Sequence, residues 1–371
     1  MAKAYDRVSW SYTCIMLRIM GFNERIIDMI WRTMGNNWYS IIITGTRCGF
    51  FHSTRGLKQG DPLAPSLFII RVELLFRMLN NLTHDQFFNG LYIEWRDPQI
   101  NHLTFADDII IFTSGGRASL QKIMEILNNY EHTSRQQINR QKSHFMVSPP
   151  AFPATIRGVQ QITGFTKKES PITYMGCPLY IGRMRIVYFN SLVAKVISRI
   201  KGWQSRILSY GGRATMIKHV LQSIPTHLLS ALTPSPPPKT ILRRVEKLAA
   251  NFFWGMEKDK NIYHRASWQK LTFPTEEGGV GIKSMEDFCQ TMKFEKWWLF
   301  RTKDSLWSKF LRAKYCQRSN SISKKWNSGQ SQKWKKMMIN KKESEKHITW
   351  RLHSGSCNFW WDNWLGDGAL Y

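Results

Sequence analysis

Acidic side chains are scarce in this sequence of 371 residues, which has 26 Asp and Glu against 53 Lys and Arg and a net charge of +27. Such a basic chain favours a polyanionic partner, either nucleic acid or an anionic membrane surface. The excess is uneven, because residues 1–110 carry 11 basic and 10 acidic side chains, whereas residues 111–371 carry 42 and 16. A nearly neutral first part is therefore joined to a strongly basic remainder, unlike the even charge of a ribosomal or histone-like protein.

Paired cysteines and long apolar runs are also lacking. The six cysteines include no Cys-x-x-Cys pair and no secretory leader opens the chain, so we expect a reducing, intracellular compartment. No window of about 18 apolar residues indicates a membrane-spanning helix. Nucleic acid is thus a more fitting partner than lipid. Wholesale disorder is excluded, because 43% of the residues are hydrophobic and 13% are aromatic.

Hydrophobic periodicity predicts helices and short strands in the first half of the chain. It predicts two short helices within residues 10–35, a hairpin within residues 39–54, and a long helix that Asp61 caps. Residues 102–113 have the pattern of strand, tight turn and strand. From about residue 186 the strand signal gives way to helices, so the basic part of the chain is expected to be mostly helical.

Two adjacent aspartates, Asp107 and Asp108, occupy the predicted tight turn. Like charges buried side by side raise each other's pKa, and a divalent cation removes that cost. Successive side chains along a strand point to opposite faces, so only one of the two is expected to be the primary ligand. From these two residues alone, a polar hairpin tip with two solvated carboxylates is the alternative.

A glycine-punctuated loop precedes the predicted long helix. It contains Lys58, Gln59 and Gly60 in a run that starts at Arg55. Flexible backbone with a lysine and a glutamine at a helix N-terminus suits a phosphate and a sugar edge. A capped glycine loop that only leads into a helix is the alternative.

Four segments follow one another in a fixed order: Lys3-Ala-Tyr-Asp-Arg-Val8, the Gly-Leu-Lys-Gln-Gly-Asp-Pro-Leu loop, Phe105-Ala-Asp-Asp108 and Tyr174-Met-Gly-Cys-Pro-Leu179. In order and spacing they resemble the reverse transcriptase of plant LINE-type non-LTR retrotransposons. The likeness is strong over residues 1 to about 180 and continues weakly to the end. It implies an α+β fold with a right-hand polymerase palm at 1–185 whose fingers are largely missing, a helical thumb at 186–260, and a basic, Trp-rich C-terminal region at 261–371.

The resemblance also implies two-metal nucleotidyl transfer, in which two Mg²⁺ or Mn²⁺ ions bridge the primer 3′ end and the incoming deoxynucleoside triphosphate on an RNA template. Asp107 is then the metal ligand and Asp108 its less direct partner. Tyr5 matches the aromatic residue that excludes a ribose 2′-OH, with a packed core tyrosine as the alternative. The other implied contacts are Lys58, Gln59 and Gly60 over the incoming nucleotide, Lys142 near the leaving pyrophosphate, and Tyr174, Met175 and Gly176 on the primer backbone.

The sequence departs from the family pattern in one respect. In the family, the first metal-binding aspartate lies six residues before the position that Asp6 occupies here. In this chain that position falls immediately before Met1. Asp6 follows the gate tyrosine and is not a ligand in the family pattern. The fingers and any endonuclease domain are absent too, which fits a start at an internal methionine. Two-metal catalysis needs carboxylates from two strands. We therefore expect the chain as given to be inactive or nearly so.

The basic second half suits nucleic-acid binding. Its helices interleave Lys and Arg with apolar residues, so that one face packs and the other can meet phosphates. Lys324-Lys325-Trp326 and Lys333-Trp-Lys-Lys336 suit single-strand binding, with buried tryptophans beside solvated lysines as the alternative. We expect no structural zinc, because the candidate ligands have no recognised zinc spacing; they are Cys316, His347, His353 and Cys357.

Two other functions compete with an active polymerase. A non-catalytic nucleic-acid-binding remnant would keep the thumb and the basic region without chemistry. A group II intron maturase would share the palm but should bring its own fingers, and the Trp-rich tail favours the retrotransposon interpretation over it. The resemblance implies work in the nucleus, where such elements are copied into DNA.

Overall fold

A computed structural model describes residues 1–90, 99–149, 151–203, 208–255, 263–317, 319–352, 355 and 357–370 of the chain. It is a mixed structure of helices and short strands, which confirms the α+β class in that coarse sense. The chain divides into two compact units, unit 1 (Met1–Glu169) and unit 2 (Ser170–Tyr371). The domain boundaries expected at residues 185 and 260, and the assignment to palm and thumb, stay predictions.

Unit 1 consists of helices joined by short hairpins. Its helices are α1 (Trp10–Ile19), α2 (Glu24–Gly35), α3 (Ala64–Asn81), α4 (Arg117–Ser134) and α5 (Pro153–Thr163), with a 3-10 turn at Leu82–His84. Its strands are β1 (Trp38–Ile43), β2 (Thr46–His52), β3 (His102–Phe105), β4 (Asp108–Ile111), β5 (His144–Phe145) and β6 (Thr166–Lys167). The two short helices and the hairpin predicted before residue 55 are confirmed.

Local capping explains where the first helices begin. The Ser9 side chain accepts a hydrogen bond from the Tyr12 backbone N–H at the start of α1, and Asn23 does the same for Arg25 at the start of α2. Between them Gly21 takes a positive φ of 82°, which ends α1 and turns the chain.

The predicted cap of the long helix is wrong by two residues. Helix α3 begins at Ala64, and its N-cap position is occupied by Leu63. The Asp61 carboxylate instead accepts a hydrogen bond from the Leu63 backbone N–H at 2.8 Å. Asp61 therefore closes a local turn ahead of the helix, a use that competes with helix capping for this residue type.

The core of unit 1 lies between α3 and the helices on either side of it. Phe68, Leu75 and Leu79 of α3 are almost completely buried, as are Leu17 of α1 and Tyr130 of α4. Each fully buried large side chain contributes about 1.5–3 kcal/mol of transfer free energy. This packing fixes α3 and α4, whose ends lead into the loops that form the candidate site.

Every sheet among the described residues has two strands. The pairs β1–β2, β3–β4 and β7–β8 are antiparallel, and β5–β6 is parallel. The short strands β7 (Ile172–Tyr174) and β8 (Cys177–Leu179) belong to unit 2. Each of the three antiparallel pairs is a hairpin joined by a two-residue turn. Each hairpin therefore holds its turn residues at a defined position.

Unit 2 is mainly helical, as predicted. Its helices are α6 (Asn190–Lys201), α7 (Tyr210–Met216), α8 (Ser223–Leu232), α9 (Lys239–Trp254), α10 (Trp268–Leu271), α11 (Met285–Thr302), α12 (Leu306–Leu311) and α13 (Gln332–Lys346), with short 3-10 turns at Ile186–Phe189 and Thr275–Glu277 and π turns at Ile217–Leu221 and Arg312–Cys316. One cluster of buried side chains centres on Phe252 of α9, and another on Trp297 of α11 and Trp334 of α13. Within the described residues, no helix is both long and apolar enough to cross a membrane.

Candidate active site

The two aspartates lie in a tight hairpin, as the sequence pattern predicts. Strands β3 and β4 pair so that Phe105 is opposite Asp108, which leaves Ala106 and Asp107 as a two-residue turn. Ala106 has a φ of 50°, a left-handed conformation that is uncommon for a residue with a Cβ atom. Asp107 is therefore at the tip, whereas Asp108 is the first residue of β4 and not a turn residue.

Asp107 and Asp108 have different surroundings. Asp107 is half-exposed, and its backbone carbonyl accepts a hydrogen bond from the Met1 amino group at 3.0 Å. The same nitrogen lies 3.9 Å from the Asp107 Oδ2 atom, close enough for an ion pair. Asp108 is exposed. The two side chains are thus placed differently, and their roles as metal ligands stay predictions.

A cavity of about 550 Å³ opens beside Asp107, and we call it the site cavity. Four segments that are distant in sequence form its wall. Its lining residues are Met1, Ala2, Lys3, Ala4, Tyr5, Asp6, Arg7, Gln59, Asp107, Asn139 and Lys142. Four residues singled out from the sequence therefore share one cavity: Tyr5, Gln59, Asp107 and Lys142.

A glycine allows the loop before α3 to approach the first segment of the chain. The Gly56 N–H donates to the Val8 carbonyl at 2.8 Å, and the Leu57 N–H donates to the Tyr5 carbonyl at 2.9 Å. Gly56 has a φ of 98°, and a Cβ atom there would lie 3.3 Å from the Asp6 carbonyl oxygen. A side chain would therefore strain this junction. Gln59 reaches the site cavity because the loop is anchored here.

The Tyr5 ring is packed and also lines the site cavity. It is half-buried and stacks on Phe68 of α3, with 5.3 Å between ring centroids and 13° between the ring planes. Phe68 is buried in the unit 1 core. The two interpretations of Tyr5, core residue and cavity residue, are therefore compatible in one conformation.

Lys142 reaches the cavity through a turn organised by Asn139. The Lys142 backbone N–H donates to the Asn139 side-chain oxygen at 3.1 Å, and the Ser143 N–H donates to the Asn139 carbonyl at 2.9 Å. The Lys142 side chain is exposed. An asparagine that bonds to the backbone ahead of it is a local turn former, so the sequence itself determines this placement.

Gln136 is a site-supporting residue that the sequence analysis missed. It is almost completely buried, and its side-chain NH₂ donates to the Ala4 carbonyl at 2.9 Å. The adjacent Gln137 carbonyl accepts from the Ala2 N–H at 2.7 Å. These bonds hold the segment that carries Tyr5. Gln136 lies in a run of polar residues, so nothing in the pattern distinguishes it from solvated neighbours.

Two of the predicted loop residues are not in the lining of the site cavity. Lys58 is exposed, and its carbonyl accepts a hydrogen bond from the Asp61 N–H at 3.3 Å. Gly60 has a φ of 91°, which the turn before α3 requires. Their contacts with a nucleotide stay predictions.

The predicted primer-gripping residues form a hairpin turn in unit 2. Tyr174 pairs with Cys177, and the two turn residues Met175 and Gly176 have φ values of 50° and 76°. Positive φ at both positions is typical of the type I′ turn that suits a two-residue hairpin. The Met175 carbonyl lies 3.0 Å from the His227 Nε2 atom. The contact with a primer stays a prediction.

Carboxylates are too few at the site cavity for two ions. Asp6 and Asp107 are the acidic side chains in its lining. No group of three or more His, Cys, Asp or Glu side chains that could hold a metal occurs in the part of the chain that the structure describes. The residues present do not fit a pair of divalent ions, although reverse transcriptases as a family use them.

The candidate zinc ligands have other surroundings. Burial raises the pKa of the Cys316 thiol, which disfavours the thiolate that zinc requires. His347 lies 3.8 Å from Glu343, within ion-pair distance if it is protonated. His353 lies outside the described residues. The absence of structural zinc stays a prediction.

Exposed cations repeat along two helices of unit 2. Lys195 and Arg199 lie one turn apart on α6, and Arg243 and Lys247 lie one turn apart on α9; all four side chains are exposed. None of them forms an ion pair with another described residue. Such rows of unpaired cations suit contacts with backbone phosphates, which is the role expected of a thumb.

The tryptophans in the lysine-rich segments do not all face solvent. Trp334 is buried and stacks on Tyr315 with 4.5 Å between ring centroids. Lys335 places its ammonium 4.4 Å from the centroid of the half-buried Trp326 ring. The alternative of buried tryptophans beside solvated lysines therefore holds for Trp334, and Trp326 is engaged by a lysine of the same chain.

Comparison with known families identifies the first half of the chain. Residues 1–179 match the model of the family described as reverse transcriptase (RNA-dependent DNA polymerase). This stretch, just under half of the chain, is similar to that family. The resemblance to a retrotransposon reverse transcriptase, inferred from four motifs, is confirmed. The match ends at the last residue of β8, shortly after the turn of the fourth motif.

Curated relatives are similar to parts of the chain. A putative ribonuclease H protein of Arabidopsis thaliana is 30% identical over 188 residues, which are 49% of this chain and 30% of the relative. An uncharacterized mitochondrial protein of the same plant is 42% identical over 67 residues, 18% of this chain and 55% of the relative. A retrovirus-related Pol polyprotein from a type-2 retrotransposable element of Drosophila melanogaster is 28% identical over 131 residues, 34% of this chain and 12% of the relative. The chain thus spans little more than half of one relative and under a third of the others.

Proposed function

We propose that the chain carries the RNA-directed DNA polymerase domain of a plant LINE-type non-LTR retrotransposon. Its substrates would be a deoxynucleoside triphosphate, an RNA template and a DNA primer, and by family resemblance it would act in the nucleus. The observation that carries the proposal is the site cavity, which brings together Tyr5, Gln59, Asp107 and Lys142. These residues come from four different segments of the chain, and each matches a position of the reverse transcriptase pattern.

The surroundings of each residue suit a role in nucleotide binding. The Tyr5 ring is supported on one face by the buried Phe68 ring, so it would act as a wall against a ribose 2′-OH. The Lys142 ammonium is an exposed cation that can meet a triphosphate. Gln59 adds hydrogen-bonding groups at the same cavity. Together they would orient the nucleotide relative to Asp107.

The carboxylates of the site cavity limit what the chain can catalyse. Two-ion phosphoryl transfer requires carboxylates that clamp both ions, and among the described lining residues the carboxylates are those of Asp6 and Asp107. We propose that residues 1–371 by themselves bind substrates but extend a primer poorly or not at all. A further carboxylate beside Asp107 would supply the missing ligand for Mg²⁺ or Mn²⁺.

The position of Met1 makes this testable. Its nitrogen lies 3.9 Å from the Asp107 Oδ2 atom, so a residue joined to it would stand next to Asp107. We would assay Mg²⁺-dependent primer extension on an RNA template by the chain as given, by a version with one Asp added before Met1, and by a matched version with Asn added there.

The Asp version should extend the primer about a hundredfold faster than the Asn version, because a single group that stabilises the transition state typically has an effect of about this size. A hundredfold corresponds to about 2.8 kcal/mol of transition-state stabilisation. Asp107→Ala should abolish that gain. Equal extension by the Asp and Asn versions would contradict the proposed placement. Efficient, Asp107-dependent extension by the unextended chain would contradict the proposed inactivity.

A second candidate function is nucleic-acid binding without catalysis. The exposed, unpaired cations of α6 and α9 support it. RNA affinity should fall steeply with salt, with a log–log slope of about −0.7 per phosphate contact on a single strand. The double change Lys195→Gln with Arg199→Gln should make that slope shallower by about 1.4. Affinity that stays constant between low and moderately high salt would exclude this function.

A further inference from the structure

A second cavity adjoins the site cavity, and we call it the vestibule. Its volume is about 800 Å³, and its lining consists of Ala2, Asn128, Glu131, His132, Arg135, Gln136, Gln137, Ile138, Asn139, Arg140 and Gln141. Ala2 and Asn139 line both cavities. The two spaces therefore share a wall, and the vestibule begins where the site cavity ends.

The vestibule has an unpaired cation. Its acidic residue, Glu131, is already engaged, because one carboxylate oxygen accepts from the Ile138 N–H at 2.6 Å and the other lies 3.9 Å from Arg140. The Arg135 side chain is exposed, and it forms no ion pair with any other residue that the structure describes. Its guanidinium is therefore available to an anionic ligand.

The second arginine of the vestibule is held in place. Arg140 donates from Nη2 to the Asn128 side-chain oxygen at 3.3 Å, and the same nitrogen faces Glu131. An arginine fixed by two partners loses less conformational freedom on binding a further group than a free one does. Arg140 is thus pre-oriented at the wall of the vestibule that Arg135 also lines.

Arg135 has a left-handed backbone conformation that favours glycine. It ends α4 with a φ of 60°, and its N–H donates to the Glu131 carbonyl at 3.1 Å. This C-terminal position in the left-handed region is usually glycine or asparagine, which adopt it with less strain. Strained residues of this kind concentrate at functional sites. Here the strain coincides with an unpaired cation at a cavity.

We propose that the vestibule binds phosphate groups next to the site cavity, with Arg135 and Arg140 as the ligands. Guanidinium groups match phosphate oxygens through paired hydrogen bonds. The inference rests on the proposed function, because the phosphates come either from the pyrophosphate released in the site cavity or from the backbone of the strand held there. Both sources present the same oxygen chemistry.

The test measures binding to the full chain and does not depend on turnover. Calorimetric titration with inorganic pyrophosphate and fluorescence anisotropy with a labelled single-stranded RNA are each repeated with Arg135→Gln and Arg140→Gln. Arg157→Gln is the matched control, because Arg157 is an exposed arginine of unit 1 outside both cavities. Arg135→Gly tests the fold separately, since glycine adopts the observed φ without strain and should not lower the melting temperature.

Arg135→Gln should weaken at least one of the two ligands about tenfold, whereas Arg157→Gln should change neither more than about twofold. Weakening confined to pyrophosphate would assign the vestibule to the leaving group, and weakening confined to RNA would assign it to the strand. Unchanged affinity for both ligands, with the fold intact, would overturn the inference. Nucleotide binding that depends on Lys142 but not on Arg135 would leave the proposed function standing without the vestibule.

Discussion

Each unit buries an arginine, and the two arginines are compensated in different ways. In unit 1 the Arg71 side chain is completely buried and donates from Nη2 to the Ser134 carbonyl at 3.3 Å. Its Nε and Nη1 atoms have no hydrogen-bond partner, and it faces no carboxylate in the described chain. In unit 2 Arg301 is paired with Glu345 at 2.6 Å and with Asp362. The Arg301 charge is thus paired with carboxylates, whereas the partners of Arg71 are one carbonyl and the face of the Tyr12 ring, 5.3 Å from its Cζ atom.

The difference shows which charged motifs serve structure. Asp362 lies in the run Trp361-Asp-Asn-Trp364 near the C-terminus, and its second carboxylate oxygen accepts a hydrogen bond from the Asn358 N–H at 2.7 Å. This aspartate therefore ties the C-terminal loop to α11 and leaves no free carboxylate for chemistry. Arg71 instead contacts the end of α4, one residue before Arg135 and two before Gln136, where the loop of the candidate site begins.

The largest effect expected from this comparison is the loss of the paired arginine. Arg301→Met should destabilise unit 2 by about 3–5 kcal/mol, because it leaves the half-buried Glu345 and the buried Asp362 without their cation. Urea unfolding followed by tryptophan fluorescence measures this, since most tryptophans lie in unit 2. A loss below about 1 kcal/mol would mean that the buried ion group is not needed for the fold.

The same substitution in unit 1 should have the opposite sign. Arg71→Met replaces a buried and incompletely bonded charge by an apolar side chain of similar length, so it should be neutral or stabilise by up to about 2 kcal/mol. Burial already lowers the pKa of the Arg71 guanidinium, which reflects the cost of its charge. Hydrogen exchange of peptides from α3 reports on this locally. A decrease of more than about 2 kcal/mol in the free energy of unfolding would show that the interactions of Arg71 outweigh the cost of burying its charge.

A smaller contrast is expected from pH. Burial lowers the pKa of His102 in β3 below its ordinary value of 6.5, so its contribution to stability is present above pH 6.5 and is lost as pH falls below it. Burial raises the pKa of Glu246 in α9 above its ordinary value of 4.5, so its contribution is present at low pH and is lost as pH rises. Between pH 6.5 and 4.5, acid should therefore weaken unit 1 at His102 and strengthen unit 2 at Glu246.

Matched variants separate these two groups from the rest of the chain. His102→Gln should flatten the pH dependence of exchange in β3, and Glu246→Gln should flatten that of α9, each by less than about 1.4 kcal/mol per unit of pH. Unchanged profiles in both variants would assign the pH dependence to other residues.

Sequence patterns predicted the parts of this molecule that depend on local chemistry. The hairpin around Asp107 follows from two apolar strands with polar residues between them. The family motifs then selected Tyr5, Gln59 and Asp107, which the structure brings to one cavity. The hairpin prediction is confirmed because neighbouring residues determine its geometry, whereas the roles of the motif residues stay predictions.

Long-range contacts could not be predicted in the same way. Gln136 is buried because its amide bonds to Ala4, which is 132 positions away, and its own neighbours give no sign of this. Trp334 is buried because α11 and α13 pack together, although its lysine-rich surroundings suggest a surface. Helix α3 begins two residues later than predicted because the Asp61 carboxylate accepts a hydrogen bond from the nearer Leu63 N–H. For Gln136 and Trp334 a partner distant in sequence decides the outcome, whereas for Asp61 two local hydrogen-bonding patterns compete.

The central claim is that the site cavity of unit 1 is where the nucleotide binds. Photocrosslinking of a light-activatable deoxynucleoside triphosphate to the full chain, with the modified peptides located by mass spectrometry, tests this most directly. The account predicts crosslinks within residues 1–7 or at Gln59, Asp107 or Lys142 that unlabelled nucleotide removes by competition and that Lys142→Gln weakens. Crosslinks confined to the basic helices of unit 2, or insensitive to competition, would contradict it.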